Sequence, residues 1–291
     1  AKYRAQRITQ LILEKGNLSV ADNQAIQNDI YSIEAKEITP RILNAFEGMA
    51  DVSPEIKQAL DYLAKWDFVT DSKSIASTIF HVTQMKLIEN IFKDELGDDL
   101  YQTYIGAANE MFKGFQLIMA KENSNWFDDI STTGVKEGRD DIIRKSIELA
   151  IDDLRERFGK DMTKWHWGEL HHHLSGHLVF KDVKYLKNFF NIGPFPIGGS
   201  KATVAPAAYD FANPYTATHG ASTREIIDFS DRTNDKRVIT SGCSGQFHSK
   251  FYVNQSKLWR KGETHAILMD RKQTEENSAA NLTLIPKKEN R

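Results

Sequence analysis

The sequence predicts an α+β fold in which a helical lobe comes first and strands come second. Two observations carry this. Up to about Gly159 apolar residues recur at three- and four-residue intervals. After Trp165 the chain changes to short β-branched and aromatic runs separated by Gly, Pro, Asn and Asp. The division falls at a mainly helical lobe over 1–164 and a strand-rich portion over 165–291, with no internal repeat or low-complexity stretch.

The first helix places Ala5, Ile8, Leu11 and Ile12 on one face and stops at Gly16-Asn17. Its opening, AKYRAQRITQLILEKG, is basic and partly apolar but lacks a small-residue cleavage site, so it reads as a helix from within a domain and not as a signal peptide. Ser19 and Asp22 have the spacing of a capping box, and the helix they open sends Ala25, Ile26, Ile30 and Ile33 inward. Pro40 and Pro54 mark further starts or bends. SIASTIFHVTQMKLIENIF reads as a long, buried helix. Ile143, Ile147, Ile151, Leu154 and Phe158 then step along one face to a glycine stop at Gly159. Strands are expected in ATVAPAAYDF, REIIDFS, RVIT, HAILM and LTLIP.

With 291 residues, 40% apolar and 27% charged, the chain can bury a substantial core as one large or two smaller domains. That composition excludes disordered, fibrous and membrane-spanning classes. A formal net charge of -2 leaves no overall field to attract nucleic acid or an anionic membrane, and neither is expected as a partner. Basic residues concentrate only in the tail around Lys287 and Lys288. One cysteine, Cys243, excludes an internal disulfide and says nothing about compartment.

Three stretches invite a chemical reading. Ser241-Gly242-Cys243-Ser244-Gly245 lies between candidate strands, but a hydrolase elbow needs G-x-S-x-G followed by a helix, and that order is missed. Cys243 as a nucleophile would need a base such as His248 within reach; the favoured reading is a glycine-rich bend with a small buried cysteine. WHWGELHHHLSGHLVF gathers His166, His171, His172, His173 and His177, and on a helix His173 and His177 would share a face as zinc ligands do. Gly168 and Gly176 interrupt that helix, so histidines satisfied by backbone hydrogen bonds are favoured. The acidic pairs Asp98-Asp99, Asp128-Asp129, Asp140-Asp141 and Asp152-Asp153 miss the spaced calcium-loop pattern, and GPFPIGGS is no phosphate loop.

Read together, several stretches resemble the C-terminal part of the β subunit of the penicillin amidase (penicillin acylase) family, which are N-terminal-nucleophile hydrolases. YRAQRITQLILEKGNLSVADNQAIQNDIYSIEAKEITPRIL resembles the helical region after that family's oxyanion asparagine. WHWGELHHHLSGHL resembles its W-x-W-G-x-x-H segment, with a second histidine six positions later. GGSKATVAPAAYDF, HGASTREIIDFSD and SGCSGQFHSKFYVNQSKLWRKGE resemble its glycine-threonine strand, its G-A-S-x-R-x-I-x-D strand and its closing G-x-S-G element. The likeness runs from Tyr3 to about Pro286.

The resemblance implies strands that complete an αββα sandwich, a periplasmic or secreted location, and hydrolysis of an acyl amide, either a β-lactam side chain or an N-acyl-homoserine lactone. In such enzymes an N-terminal serine attacks the carbonyl with its own α-amine as base, a group that titrates at ~7.7–8.0. This chain opens on Ala1, which has neither hydroxyl nor thiol. Nucleophile, oxyanion asparagine and most of the acyl pocket are therefore expected upstream, on the remaining α and β portions of the acylase, and the chain alone is expected to be inactive. No cofactor is expected in this chain; calcium in the longer enzyme would bind through upstream residues. One site residue carries over: Arg4, matching the family arginine in YRAQRI, would support the oxyanion asparagine by charge-assisted hydrogen bonds. An exposed helix cation is the other reading of Arg4. Two rivals remain: a non-catalytic module that binds metal or ligand through the His166–His177 cluster, and a stand-alone Cys243/histidine hydrolase.

Overall fold

A computed structural model describes residues 2–286, so the expectations for Ala1, Lys287 and Lys288 lie outside the described residues. Seven helices come first: α1 (Lys2–Lys15), α2 (Val20–Gln27), α3 (Ile33–Asn44), α4 (Pro54–Ala64), α5 (Ile75–Gly106), α6 (Ala108–Met119) and α7 (Arg139–Phe158). Local chemistry sets their starts. Ser19 and Asp22 form the expected capping box at α2. Ser32, Ser53 and Ser74 each accept the backbone N–H three residues on, opening α3, α4 and α5. Pro54 takes the first position of α4, where its missing N–H costs nothing, whereas Pro40 lies inside α3.

The core centres on α5, whose residues from Ala76 to Gln84 are buried on every side, and on α7 packed against it. Ile143, Ile147, Ile151 and Leu154 face inward as the spacing predicts, and Gly159 at φ +80° ends the helix. The first helix departs from expectation. Its deeply buried residue is Tyr3, while Ile12 is 42% exposed and Ala5 is also exposed. Ala25 of α2 is exposed as well. Both helices lie on the surface of the core, so their apolar stripes are only partly covered.

Beyond the short α8 (Trp167–Leu170), β1 (His172–Ser175), α9 (Lys187–Phe190), β2 (Ile192–Pro196), β3 (Ala207–Asp210) and β4 (Asn213–Gly220) form a sheet in the order β2-β1-β4-β3. In it β1 runs parallel to β4, and the other pairings are antiparallel. A second, antiparallel sheet joins β5 (Thr223–Ile226), β6 (Lys236–Ile239) and β7 (His265–Ala266) in that order. The helix α10 (Ser256–Lys261) leads into β7, and α11 (Arg271–Glu276) follows it.

RVIT and the start of REIIDFS form strands as expected, HAILM pairs only at His265–Ala266, and ATVAPAAYDF turns before it extends. LTLIP is corrected: no strand forms there, and Leu282, Leu284 and Ile285 stand exposed. Its alternation suits a strand, but a ladder needs a partner, and none lies beside it among the described residues. The strands β1, β2 and β4 were not expected, because His, Asn, Gly and Pro dominate them. Among the described residues no helix is long and apolar enough to cross a membrane.

This burial separates two isoleucines. Ile147→Ala should lower stability by about 2–5 kcal/mol through a cavity beside α5. Ile12→Ala should stay within about 0.5 kcal/mol. Chemical denaturation of both variants checks this, and equal losses would contradict the packing.

Candidate functional site

Arg4 lies half-buried on α1, between Tyr3 and Arg7, which are both engaged. The Tyr3 hydroxyl donates to Glu37 Oε2 at 2.8 Å, and Arg7 pairs with Asp29 at 2.9 Å while stacking 4.4 Å from the Tyr31 ring centroid. Arg4 differs, because its Nε is buried and has no hydrogen-bond partner among the described residues. It lines a cleft of about 590 Å³ whose wall includes Glu110, Lys201, Tyr209, Asp210 and His219. The edge strand β3 and its partner β4 form one side of this cleft. A second cleft of about 730 Å³ shares Asn109, Glu110 and Lys201 with it and extends along Glu37, Arg41 and Gln116.

A buried polar chain lies beneath. Gln84 Nε2 donates to Glu34 Oε1 at 2.9 Å, and Glu34 is also hydrogen-bonded to Gln116 at the cleft wall. Glu34 is fully buried, and desolvation pushes its carboxyl up to about 8, so it is largely protonated at neutral pH. Gln84 Oε1 accepts from His81 Nδ1 at 3.4 Å, and the His81 Nε2 has no partner among the described residues. Burial pulls His81 down to about 3. Sequence reasoning missed Glu34, Gln84 and His81, because a lone polar residue in an apolar helix shows its burial only once packing is known.

The histidine run does not converge on one point. His171 is fully buried, with Nδ1 2.9 Å from the Ile197 carbonyl and Nε2 3.1 Å from the Ala207 carbonyl. Burial pulls it down to about 4, so the ring is neutral at pH 7 and donates to one carbonyl at a time. His172 Nδ1 lies 3.2 Å from the Leu170 carbonyl, and His173 packs on Trp259 with its Nε2 2.9 Å from Ser175 Oγ. His177 Nδ1 accepts the Val179 and Phe180 N–H groups, and His166 precedes α8. His173 lies on a strand, so the shared helical face with His177 does not form. Among the described residues no group of three or more His, Cys, Asp or Glu side chains is placed to hold a metal ion.

Cys243 is exposed, which corrects the expectation of a buried thiol. Its Sγ accepts from Gln255 Nε2 at 3.2 Å, and the His248 ring lies against Phe247. Gly242 is required where it stands, since a Cβ there would come within 2.0 Å of the Phe251 carbonyl oxygen. The bend is a tightly folded turn with the thiol on its outer side.

Glu34 makes stability depend on pH. Its pKa is raised from 4.5 to about 8, so its contribution is complete below about pH 4.5 and is lost as pH rises toward 8. Glu34→Gln keeps the shape and cannot ionise. It should raise Tm at pH 8, by a free energy on the order of a few kcal/mol, and the gain should nearly vanish at pH 5. Thermal unfolding at the two pH values decides it, and an equal difference at both would refute the assignment.

Comparisons with known proteins bear on this geometry. An acyl-homoserine lactone acylase of Pseudomonas fluorescens is 25% identical over 302 residues, covering 99% of this chain and 36% of that protein. Its counterpart from Pseudomonas syringae is 24% identical over 300 residues, covering 98% of this chain and 36% of that protein. A penicillin acylase 2 proenzyme from a Pseudomonas species is 24% identical over 261 residues, covering 88% of this chain and 32% of that protein. The chain thus spans about a third of the length of these curated relatives. A thermostable penicillin G acylase from Alcaligenes faecalis shares the fold at a TM-score of 0.56 and 14% identity, over 99% of this chain and 53% of that one. The family model for penicillin amidase matches residues 1–276, which takes in Arg4 and its cleft, the WHWGELH segment and both sheets: the chain belongs to the penicillin amidase family.

Proposed function

We propose that the chain is the C-terminal scaffold of an acylase that cleaves the amide of an N-acyl-homoserine lactone or a β-lactam side chain, with the nucleophile on polypeptide outside this sequence. The observation that carries this is its likeness, along nearly all of its length, to acylases about three times as long. In this reading the attacking serine, its α-amine and the oxyanion asparagine come from the rest of the protein, packed against β3 and the Arg4 cleft. The Arg4 guanidinium donates to the side chain or backbone that aims the asparagine, holding it where negative charge develops on the carbonyl oxygen. The two clefts meeting at Lys201 and Glu110 receive the acyl-amide and the adjoining polypeptide. The protein works in the periplasm or outside the cell, and calcium, where present, is held by residues outside this chain.

The acyl-homoserine lactone reading is preferred over the β-lactam one, because two relatives with the former name match 98–99% of this chain and the penicillin acylase relative 88%, at nearly equal identity. Assay of the full-length protein on an N-acyl-homoserine lactone and on penicillin G, with this chain alone as control, tests it. Hydrolysis by the former and none by the latter is expected, and enzyme-like turnover by the isolated chain would sink the proposal. In the full-length protein, Arg4→Ala should lower kcat about 100-fold with KM little changed, since a misplaced catalytic group costs about that much. Cys243→Ser should leave the rate unaltered; unaltered kinetics in Arg4→Ala instead would remove Arg4 from the site.

A further inference from the structure

A second cationic recess lies apart from the Arg4 cleft, with which it shares only Pro206. It measures about 220 Å³, and Asn28, Ser72, Arg224, Trp259, Arg260 and Lys261 are among its lining residues. Arg224 is 8% exposed and, among the described residues, has no carboxylate within ion-pair distance. Its Nη1 donates to the Trp259 carbonyl at 2.6 Å, its guanidinium carbon lies 4.8 Å from the Trp259 ring centroid, and its Nε is buried without a partner among the described residues.

Other arginines are placed differently. Arg7, Arg144, Arg155 and Arg157 each reach an Asp or Glu within 2.9 Å. Taking a guanidinium out of water with neither a counter-charge nor a full set of acceptors is costly, and desolvation alone lowers Arg224 to about 10. Arg260, held flat 3.9 Å from the Phe195 ring centroid, and Lys261 bring two more cations to the same recess. The carboxylate at its edge, Asp71, already accepts the Lys73 backbone N–H at 2.8 Å, and Lys261 lies 3.8 Å from Glu263 at the rim.

We propose that this recess binds a small oxyanion, a phosphate or carboxylate group, through the unpartnered Nε–H of Arg224 with Arg260 and Lys261 closing over it. A guanidinium donates to the oxygens of such a group in a fixed fork geometry, and a volume of this size admits an ion or a short acid but no long acyl chain. The site stands independently of the acylase reading.

The test uses the full-length protein with inorganic phosphate and with acetate, each against chloride at matched ionic strength, read by calorimetric titration and by Tm. Saturable binding of either ion, with a raised Tm, is expected; binding of phosphate alone or of acetate alone identifies the preferred oxyanion. Arg224→Gln should abolish that binding. The double variant Arg260→Ala/Lys261→Ala, on the exposed rim, should weaken it about tenfold even if Arg224→Gln does not fold. Arg4→Ala should leave it unchanged. Binding of neither ion, binding undiminished in the rim variant, or loss of binding in Arg4→Ala would each overturn the proposal.

Discussion

An aromatic stack joins the helical lobe to the larger sheet. Trp167 lies between two histidine rings, His81 from α5 at 4.6 Å and His171 ahead of β1 at 4.4 Å, with planes tilted by 21° and 11°. Its indole N–H donates to the Gly199 carbonyl at 3.1 Å, and His171 spans the Ile197 and Ala207 carbonyls. One side of the stack is the central helix, and the other fixes the end of β2 and the start of β3. Without it the Gly199 carbonyl and whichever of the Ile197 and Ala207 carbonyls His171 serves would lose a donor, and each unmet buried group costs about 1–3 kcal/mol.

That constraint explains why polar side chains are tolerated so deep in α5. Ser77, Thr78, His81, Thr83 and Gln84 are buried, and Ser77, Thr83 and one nitrogen of His81 lack partners among the described residues. Interiors carry few such groups. Here Gln84 uses both ends of its amide, joining neutral His81 to protonated Glu34, so the column holds no uncompensated charge at neutral pH. It rises toward the wall of the clefts at Gln116 and Lys201, and burial lowers the affinity of Lys201 for its proton. The column beneath the clefts is thus without net charge, while Glu110, Lys201 and Asp210 line the Arg4 cleft itself.

The helical half was readable because its signals are local. Ser19-Asp22, Pro54 and Gly159 each act within one turn, and Ile143, Ile147, Ile151 and Leu154 of α7 repeat at the helical period over about three turns. Strands were harder. LTLIP has the right alternation but no paired neighbour among the described residues, while the histidine-rich β1 becomes a strand because β2 and β4 lie on either side of it. Pairing across more than twenty residues leaves little trace in either partner alone.

The sequence by itself determined the family, the α+β order and several helix ends, such as the starts at Ser19 and Pro54 and the stop at Gly159, because these rest on motifs in order and on neighbours within a few residues, whereas the helix read through Ile30 and Ile33 ends at Gln27 and Ile33 opens the next one. It also favoured structural readings of the histidine run and Cys243, on broken helical spacing and a missed elbow pattern. Only the tertiary structure decided that Cys243 faces outward, that Glu34 is buried with a proton, and that the Nε atoms of Arg4 and Arg224 have no partner among the described residues. Those properties depend on which distant groups exclude water from a side chain. Burial and counter-charge arise between segments, and no single segment carries them.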